Sequence, residues 1–338
     1  MLAWNLYEGT AEGWNADLRL AQDRNIFQSY EWGEYKNLPK LKTRRYISHD
    51  KKGNVCGMCQ LSVRQLPFNL SFIWSAGGPV FQFKNTKLAD LEDLLSSLFK
   101  KVHEDYPRSL IRIHSHINND ADLAFKFNRV ATRPIFKLNT GFTIKFDVKN
   151  ISDFRKNMMP KHRYYTKKSS EANIQWTTGN SDIDLKHIST LHQEMVANKK
   201  MNSIATSSEE LLRMRDCLPY NLSILTGLID NEPVTSCLTL EFHGNVFYMV
   251  AATGQKGRLK SAAYAMLEKL FTQLQENNVA TFDFAGVDPI TKGAAGVNHF
   301  KMGFGGKLLE HLGEWESASS EAIRIAINAA IRLKGGRA

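Results

Sequence analysis

The order of secondary structure that hydropathy patterning predicts for this chain is run through twice, and that repetition constrains the fold more than any single motif does. After Trp14 the segment NADLRLAQDRNIF carries apolar residues at helical spacing, and a second helix begins near Glu31 with Ser29 in capping position. Two strands follow, TRRYISHD and VCGMCQLSVRQLP, joined by a polar turn at Lys51-Lys52-Gly53-Asn54. An amphipathic helix from Leu88 to Tyr106 repeats Leu91, Leu94, Leu95 and Leu98 along one face, and LIRIHSHI and GFTIKFDV read as the strands that close this half. From Ile174 the chain gives a strand, helices near Ile188 to Asn198 and Ser208 to Cys217, and then strands around the turns Asp230-Asn231 and His243-Gly244-Asn245. Element order recurs while sequence does not, which predicts two similar α+β folds in tandem. A chain of 338 residues is long enough for two hydrophobic cores and too long for one of ordinary size.

Lys and Arg number 44 against 34 Asp and Glu, a formal net charge of +10. That surplus favours an anionic partner, whether nucleic acid, a pyrophosphate-bearing substrate or an anionic membrane surface. The densest basic run is ISDFRKNMMPKHRYYTKKS, in which Arg163 and Lys167 are candidate anion- or donor-binding residues beside Tyr164 and Tyr165. Basic charge interleaved with aromatics suits a single nucleic-acid strand. Cys56 and Cys59 have C-x-x-C spacing without a second pair or a nearby His, and read as small apolar core residues in a reducing, cytoplasmic setting. His114 and His116 share a strand face without a carboxylate motif, and no metal is expected. The N-terminus lacks a basic region followed by an apolar stretch, and no window approaches about 18 uninterrupted apolar residues. Any membrane contact is therefore expected to be peripheral, with no transmembrane segment.

The residues that speak to chemistry lie between Phe282 and Trp315, in FDFAGVDPITKGAAGVNHFKMGFGGKLLEHLGEW. An aromatic-acid-aromatic strand ends at Gly286, a glycine-rich loop follows, and Phe300-Lys301 precede Gly303-Phe304-Gly305-Gly306. Glycines allow close backbone approach to a ligand, and aromatic neighbours exclude water, so an ammonium held there stabilises negative charge far better than one in bulk solvent. Lys301 is the candidate for oxyanion stabilisation and Phe300 for shaping and drying the pocket. Asp283, Asp288 and His299 are the nearby groups able to take a proton.

The run D-F-x-G-x-D-P, a spacer, G-V-x-x-F-K-x-G-F-G-G and a trailing G-x-W resemble the C-terminal signature of the FemABX-like family, non-ribosomal aminoacyl (peptidyl) transferases of the GNAT acyltransferase superfamily. The resemblance covers most of the chain, more loosely before residue 150, where Arg64, Pro67 and Gly77-Gly78-Pro79 resemble the family's R-x-x-P and G-G-P stretch. It implies two GNAT-like domains, each a mixed, mostly antiparallel sheet flanked by helices. The first is residues 1–147, with 318–338 packing back on it, and the second is residues 148–317, carrying the signature. It further implies transfer of an amino acid from charged tRNA to an amine of a nucleotide- or lipid-linked cell-envelope precursor, peptidoglycan or another surface glycan, without a cofactor and with peripheral contact at the inner face of the membrane. In the matching S-x-x-W-G-x-Y-K, Trp32 and Lys36 would contact the acceptor and its phosphates. In FYMVAATG, Tyr248 would turn its hydroxyl toward the acceptor, whereas Val250 stands where a second Tyr often appears. The family's phosphate-binding Arg and neighbouring Tyr, on the helix after the Met201-Asn202-Ser203 region, have no match.

The donor is read from GQKGRLKSAA. Acetyl-CoA enzymes of this superfamily carry Q/R-x-x-G-x-G/A there, binding pyrophosphate on bare helix amides; this chain keeps Arg258 and has Ser261 in place of the first Gly. A side chain at that point crowds the close approach, so aminoacyl-tRNA is the expected donor, with Arg258 and Lys260 able to hold an anion. Two other readings are an acyl-CoA-dependent N-acyltransferase acting on a sugar nucleotide or lipid-linked glycan, and a non-catalytic basic RNA- or glycan-binding module. Ser261 argues against the former, and the intact Phe300-Lys301 against the latter.

Overall fold

The computed structural model describes residues 3–151, 153–199 and 207–333; residues 201–203, considered above, lie outside them. Its strands are β1 (Ala3–Leu6), β2 (Leu41–His49), β3 (Val55–Leu66), β4 (Leu70–Ala76), β5 (Ser109–Asn118), β6 (Phe142–Asp147), β7 (Gln175–Gly179), β8 (Leu222–Ile229), β9 (Glu232–Phe242), β10 (Asn245–Thr253), β11 (Thr281–Val287) and β12 (Lys307–Ala318). The chain forms two compact units, Met1–Gly141 with Leu309–Ala338, and Phe142–Leu308.

The first unit's sheet runs β1-β2-β3-β4-β5-β12, antiparallel throughout except for the parallel pair β4/β5. The second runs β7-β8-β9-β10-β11-β6, again antiparallel except for β10/β11. Parallel neighbours cannot be joined by a hairpin and need a crossover; the Leu91–Asp105 helix supplies it in the first unit and the Ala262–Glu276 helix in the second. The mixed, mostly antiparallel α+β architecture is thus present in both units. Their limits differ from 147/148 and 317/318 because pairing, and not sequence neighbourhood, decides where a strand belongs. β6 follows the first unit's strands in the chain yet pairs with β11, and β12 follows β11 yet pairs with β5.

In the first unit the amphipathic helix buries Leu91, Leu94, Leu95 and Leu98 against Cys59, Leu61, Ile73, Ile111, Ile113 and Trp315. The Trp4 indole donates to the Leu94 carbonyl at 2.8 Å. Cys56 and Cys59 are part of this core, and burial pushes the Cys59 thiol up to about 12. Ser29 caps the Tyr30–Lys36 helix, its hydroxyl accepting from the Trp32 amide at 3.2 Å. The second unit's core is dominated by aromatic rings, among them Phe146, Phe154, Phe271, Phe282, Phe284 and Phe304.

The opposite face of the first sheet holds a buried ion cluster. Arg112 has no exposed surface; it donates to Glu316 at 2.9 Å and to Asn328 Oδ1 at 2.7 Å, and pairs with Glu314 at 3.4 Å. Glu314 also accepts from the Leu138 amide, and Glu316 from Arg324 at 3.0 Å. Asn328 lies on the Glu321–Leu333 helix, whose Ile327 and Ile331 pack on Phe72 and Leu110. Replacing Arg112 with Leu leaves the buried Glu314 without a cation and Glu316 with Arg324 alone. We expect the substitution to lower stability by roughly 3–5 kcal/mol, read as a fall in the urea midpoint.

Candidate active site

Strand β11 carries Asp283 and leads to the helix bearing Phe300 and Lys301, and its pairing is interrupted beside them. It pairs in parallel with β10 at Asn245–Thr281, Val246–Phe282 and Phe247–Asp283. Both strands continue, to Thr253 and Val287, so beyond Asp283 they part. In the first unit β4 and β5 stay paired from Ser71–Ser109 to Ala76–His114. Irregularities on both strands accompany the parting: β11 shifts register against β6 between Asp283 and Gly286, with Ala285 at φ 61°, and β10 shifts against β9 between Tyr248 and Val250. A left-handed backbone at a residue with a Cβ costs about 1–2 kcal/mol. Asp283 fixes it, its carboxylate accepting from the Ala285 amide at 2.8 Å and from the Thr143 hydroxyl.

The carbonyls released from pairing are taken by Lys301. Its Nζ donates to Phe284 O at 2.7 Å and to Gly286 O at 2.9 Å. Lys301 projects from the Ala295–Met302 helix, where a glycine-rich loop was expected, and Asn298 lies one turn earlier on the same face. Asn298 is buried and locks this helix to the end of β11, accepting from the Asp288 amide at 3.1 Å and donating to the Asp288 carbonyl. Desolvation pushes the Lys301 ammonium down to about 8, against the opposing pull of the Asp283 carboxylate. An ammonium has three N–H donors; two are on backbone carbonyls, and among the described residues the third has no hydrogen-bond acceptor.

Phe300 is half-buried beside Tyr264 and Phe304, with ring centroids 5.3 and 5.1 Å away. Its carbonyl accepts from His162 Nε2 at 3.0 Å. A carbonyl only accepts, so Nε2 carries the hydrogen. His162 has no exposed surface, and burial lowers its pKa, keeping the imidazole neutral. Sequence reasoning counted His162 only as part of the basic run. The signal that points to it is distant: a Cβ at Gly303 would stand 1.9 Å from its ring. Gly305, at φ 89°, lies against the Asn157 carbonyl. The close approaches these glycines permit are therefore to protein groups, which corrects the expectation that they admit a ligand.

The other candidates divide. Asp283 holds Ala285 and Thr143 and faces Lys145 at 3.9 Å. Asp288 is held below the usual carboxylate range by the Thr291 hydroxyl and by the Thr291 and Ile290 amides, which makes it a poor proton acceptor. His299 is exposed, its ring 5.7 Å from that of His162. Tyr248, expected to offer its hydroxyl to an acceptor, is instead buried against Phe282 and Phe284, and desolvation raises its pKa well above the ordinary value. Strand alternation from the core-facing Val246 puts the Tyr248 ring on the core side.

Arg258 donates to the carbonyl of Thr253, at the end of β10, at 2.7 Å, and Lys260 is exposed beside it. Ser261 takes the left-handed conformation, φ 56°, that a glycine would adopt freely, and its side chain does not cap the Ala262–Glu276 helix. Arg163 and Lys167 lie on the exposed face of the Pro160–Ser169 helix with Tyr164, while His162, Thr166 and Ser169 turn inward. In the first unit, Trp32 is buried and Lys36 Nζ stands 5.0 Å from its ring and 4.6 Å from that of Tyr35.

Two sheets of one connectivity, each with a helix-spanned parallel pair and one with that pair opened beside a half-buried lysine, define a tandem GNAT-type acyltransferase fold, and the class is transferase. The chain belongs to the FemAB family, whose model matches residues 150–330. The crystal structure of FemX aligns with 96% of this chain and 100% of its own, at a TM-score of 0.82 and 14% identity. A tandem GNAT protein from the clavulanic acid biosynthesis pathway covers 95% of this chain and 99% of its own (TM-score 0.57, 11% identity). L-PGS from Bacillus licheniformis covers 94% and 96% (TM-score 0.55, 12% identity). At these identities the likeness is one of fold. Comparison with curated proteins finds no match. Among the described residues no helix is long and apolar enough to cross a membrane.

The Lys301 shift is downward, so its charged form is populated below about pH 8 and lost above it. We expect kcat to fall as pH rises through about 8, and Lys301→Arg, which stays charged, to flatten that limb of the profile. Gly303→Ala drives a Cβ into the His162 ring and should lower the urea midpoint by an amount equivalent to about 1–3 kcal/mol.

Proposed function

We propose that this chain is a non-ribosomal aminoacyl transferase, moving an amino acid from aminoacyl-tRNA to an amine of a cell-wall precursor or surface-glycan intermediate. The observation that carries this reading is the Lys301 ammonium, held by two carbonyls of β11 where that strand parts from β10, with one donor to spare. In the proposed reaction the amine nitrogen attacks the ester carbonyl of the charged tRNA, the C–N bond forms, and the carbonyl oxygen becomes an oxyanion facing Lys301. Collapse breaks the bond to the ribose oxygen, which takes up a proton as the amine gives one up. A fixed cation in a desolvated site stabilises that oxyanion without reorganising at the moment of reaction. Phe300 keeps water from the site.

Several features support tRNA over acyl-CoA as the donor. Ser261 sets a side chain where a pyrophosphate needs bare backbone, and the Arg258 guanidinium is already turned to Thr253. The exposed face bearing Arg163, Tyr164 and Lys167 offers charge and an aromatic surface to a nucleic acid. FemAB membership supports a cell-wall precursor as acceptor. Lys36 is proposed to contact its phosphates and Trp32 to line the acceptor site, at the cytoplasmic face of the membrane.

The donor is tested by filter binding of charged against uncharged tRNA, with acetyl-CoA as competitor, at two salt concentrations. Preference for the charged form, undiminished by acetyl-CoA, is the expected result; equal and strongly salt-dependent binding of both would reduce the interaction to general charge attraction. With a competent acceptor, Lys301→Met is expected to lower kcat by about 10²–10³-fold and leave acceptor KM nearly unchanged. Equal losses in both would overturn the role given to Lys301.

A further inference from the structure

Three imidazoles outside the candidate active site come together in the first unit. His114 and His116 stand on β5, and His311 stands on its neighbour β12. Along β12, Trp315 lies opposite Ile113 in the core and Glu314 lies opposite His114. Continued without interruption, that alternation would turn Leu312 to the imidazole side and His311 to the core side. The strand instead shifts register between His311 and Gly313, with Gly313 at φ 75°. Leu312 enters the core, and His311 comes opposite Asn118 and stacks on His116. Ring centroids are 4.7 Å apart for His114 and His116, 5.0 Å for His116 and His311, and 6.3 Å for His114 and His311.

We propose that His114, His116 and His311 form a binding site for a late first-row divalent cation, Zn2+ being the ion that three imidazoles and an open fourth position suit best. One nitrogen from each ring can be chosen so that all three lie within 4.8 Å of one another. A tetrahedral ion about 2.0–2.1 Å from each ligand holds them about 3.3 Å apart. His116 Nε2 and His114 Nδ1 are already 3.2 Å apart, so a modest rotation of the third ring closes the set. His114 is buried and held in place on β5. The carboxylate opposite it, Glu314, is committed to Arg112 and to the Leu138 and Asn139 amides, and a set of imidazoles alone does not suit Mg2+ or Ca2+. His116 is half-buried near the exposed end of β5, which gives an ion a way in. The bound ion would clamp β12 to β5, strands far apart in the chain.

The test uses the untagged full-length chain, stripped with chelator and titrated with Zn2+ in a calorimeter and with Co2+ by its visible d–d absorption. One saturable site with a tetrahedral Co2+ spectrum is expected, together with a rise in Tm on adding Zn2+. His116→Gln and His311→Gln should each weaken Zn2+ binding at least about tenfold and remove the rise in Tm. His116 is only half-buried, so its variant decides the matter should the His311 variant fail to fold. Absence of saturable binding, or unchanged binding in folded His116→Gln, would overturn the site.

Discussion

A guanidinium with no exposed surface fixes how this chain must be threaded. Arg112 sits in the middle of β5, and both carboxylates that balance it, Glu314 and Glu316, come from β12. A charge so buried is tolerable only when paired and hydrogen-bonded. The first unit's sheet is therefore completed by a strand from the far end of the sequence. The Glu321–Leu333 helix is fastened to the same cluster through Asn328 and Arg324. The two units share one connectivity and exchange the strand that follows their parallel pair.

Within that common plan the two parallel pairs differ, and the difference makes a site. In the first unit β4 and β5 remain hydrogen-bonded along six residue pairs. In the second, a left-handed alanine and two register shifts separate β10 from β11 after three. Buried carbonyls that lose a strand partner must find another donor, and Lys301 supplies it. The lysine is thus part of the strand's hydrogen bonding as well as a cation in a poorly solvated position. Asp283 serves the same end, bonding the strained backbone and tempering the desolvation of Lys301. His162 supports the arrangement from the other side by holding the Phe300 carbonyl.

Much of this could be read locally. The run from Phe282 to Trp315 carried the family and singled out Lys301 and Phe300. The amphipathic helix with Leu91, Leu94, Leu95 and Leu98, the Ser29 cap and the hairpin of β2 and β3 follow from periodicity and turn chemistry acting over a few residues. Tyr248 was misread because a phenol on a strand faces core or solvent according to register, and here it falls in step with the core-facing Val246. The glycines after Lys301 were assigned to a ligand because close backbone approach looks the same in sequence whether a substrate or a buried histidine fills the space.

The sequence by itself determined the two-fold element order, the faces of the helices and the residues of the family signature, since each depends on chemical type at short, fixed spacing. Only the tertiary structure decided which unit owns β6 and β12, that Arg112 meets Glu314 and Glu316, that His162 lies beneath Phe300, and that His311 joins His114 and His116. Those pairings cross more than a hundred residues of chain. They are selected by strand register and by the cost of leaving a buried charge or polar atom unpartnered, quantities that exist only once both partners have been brought into the same core.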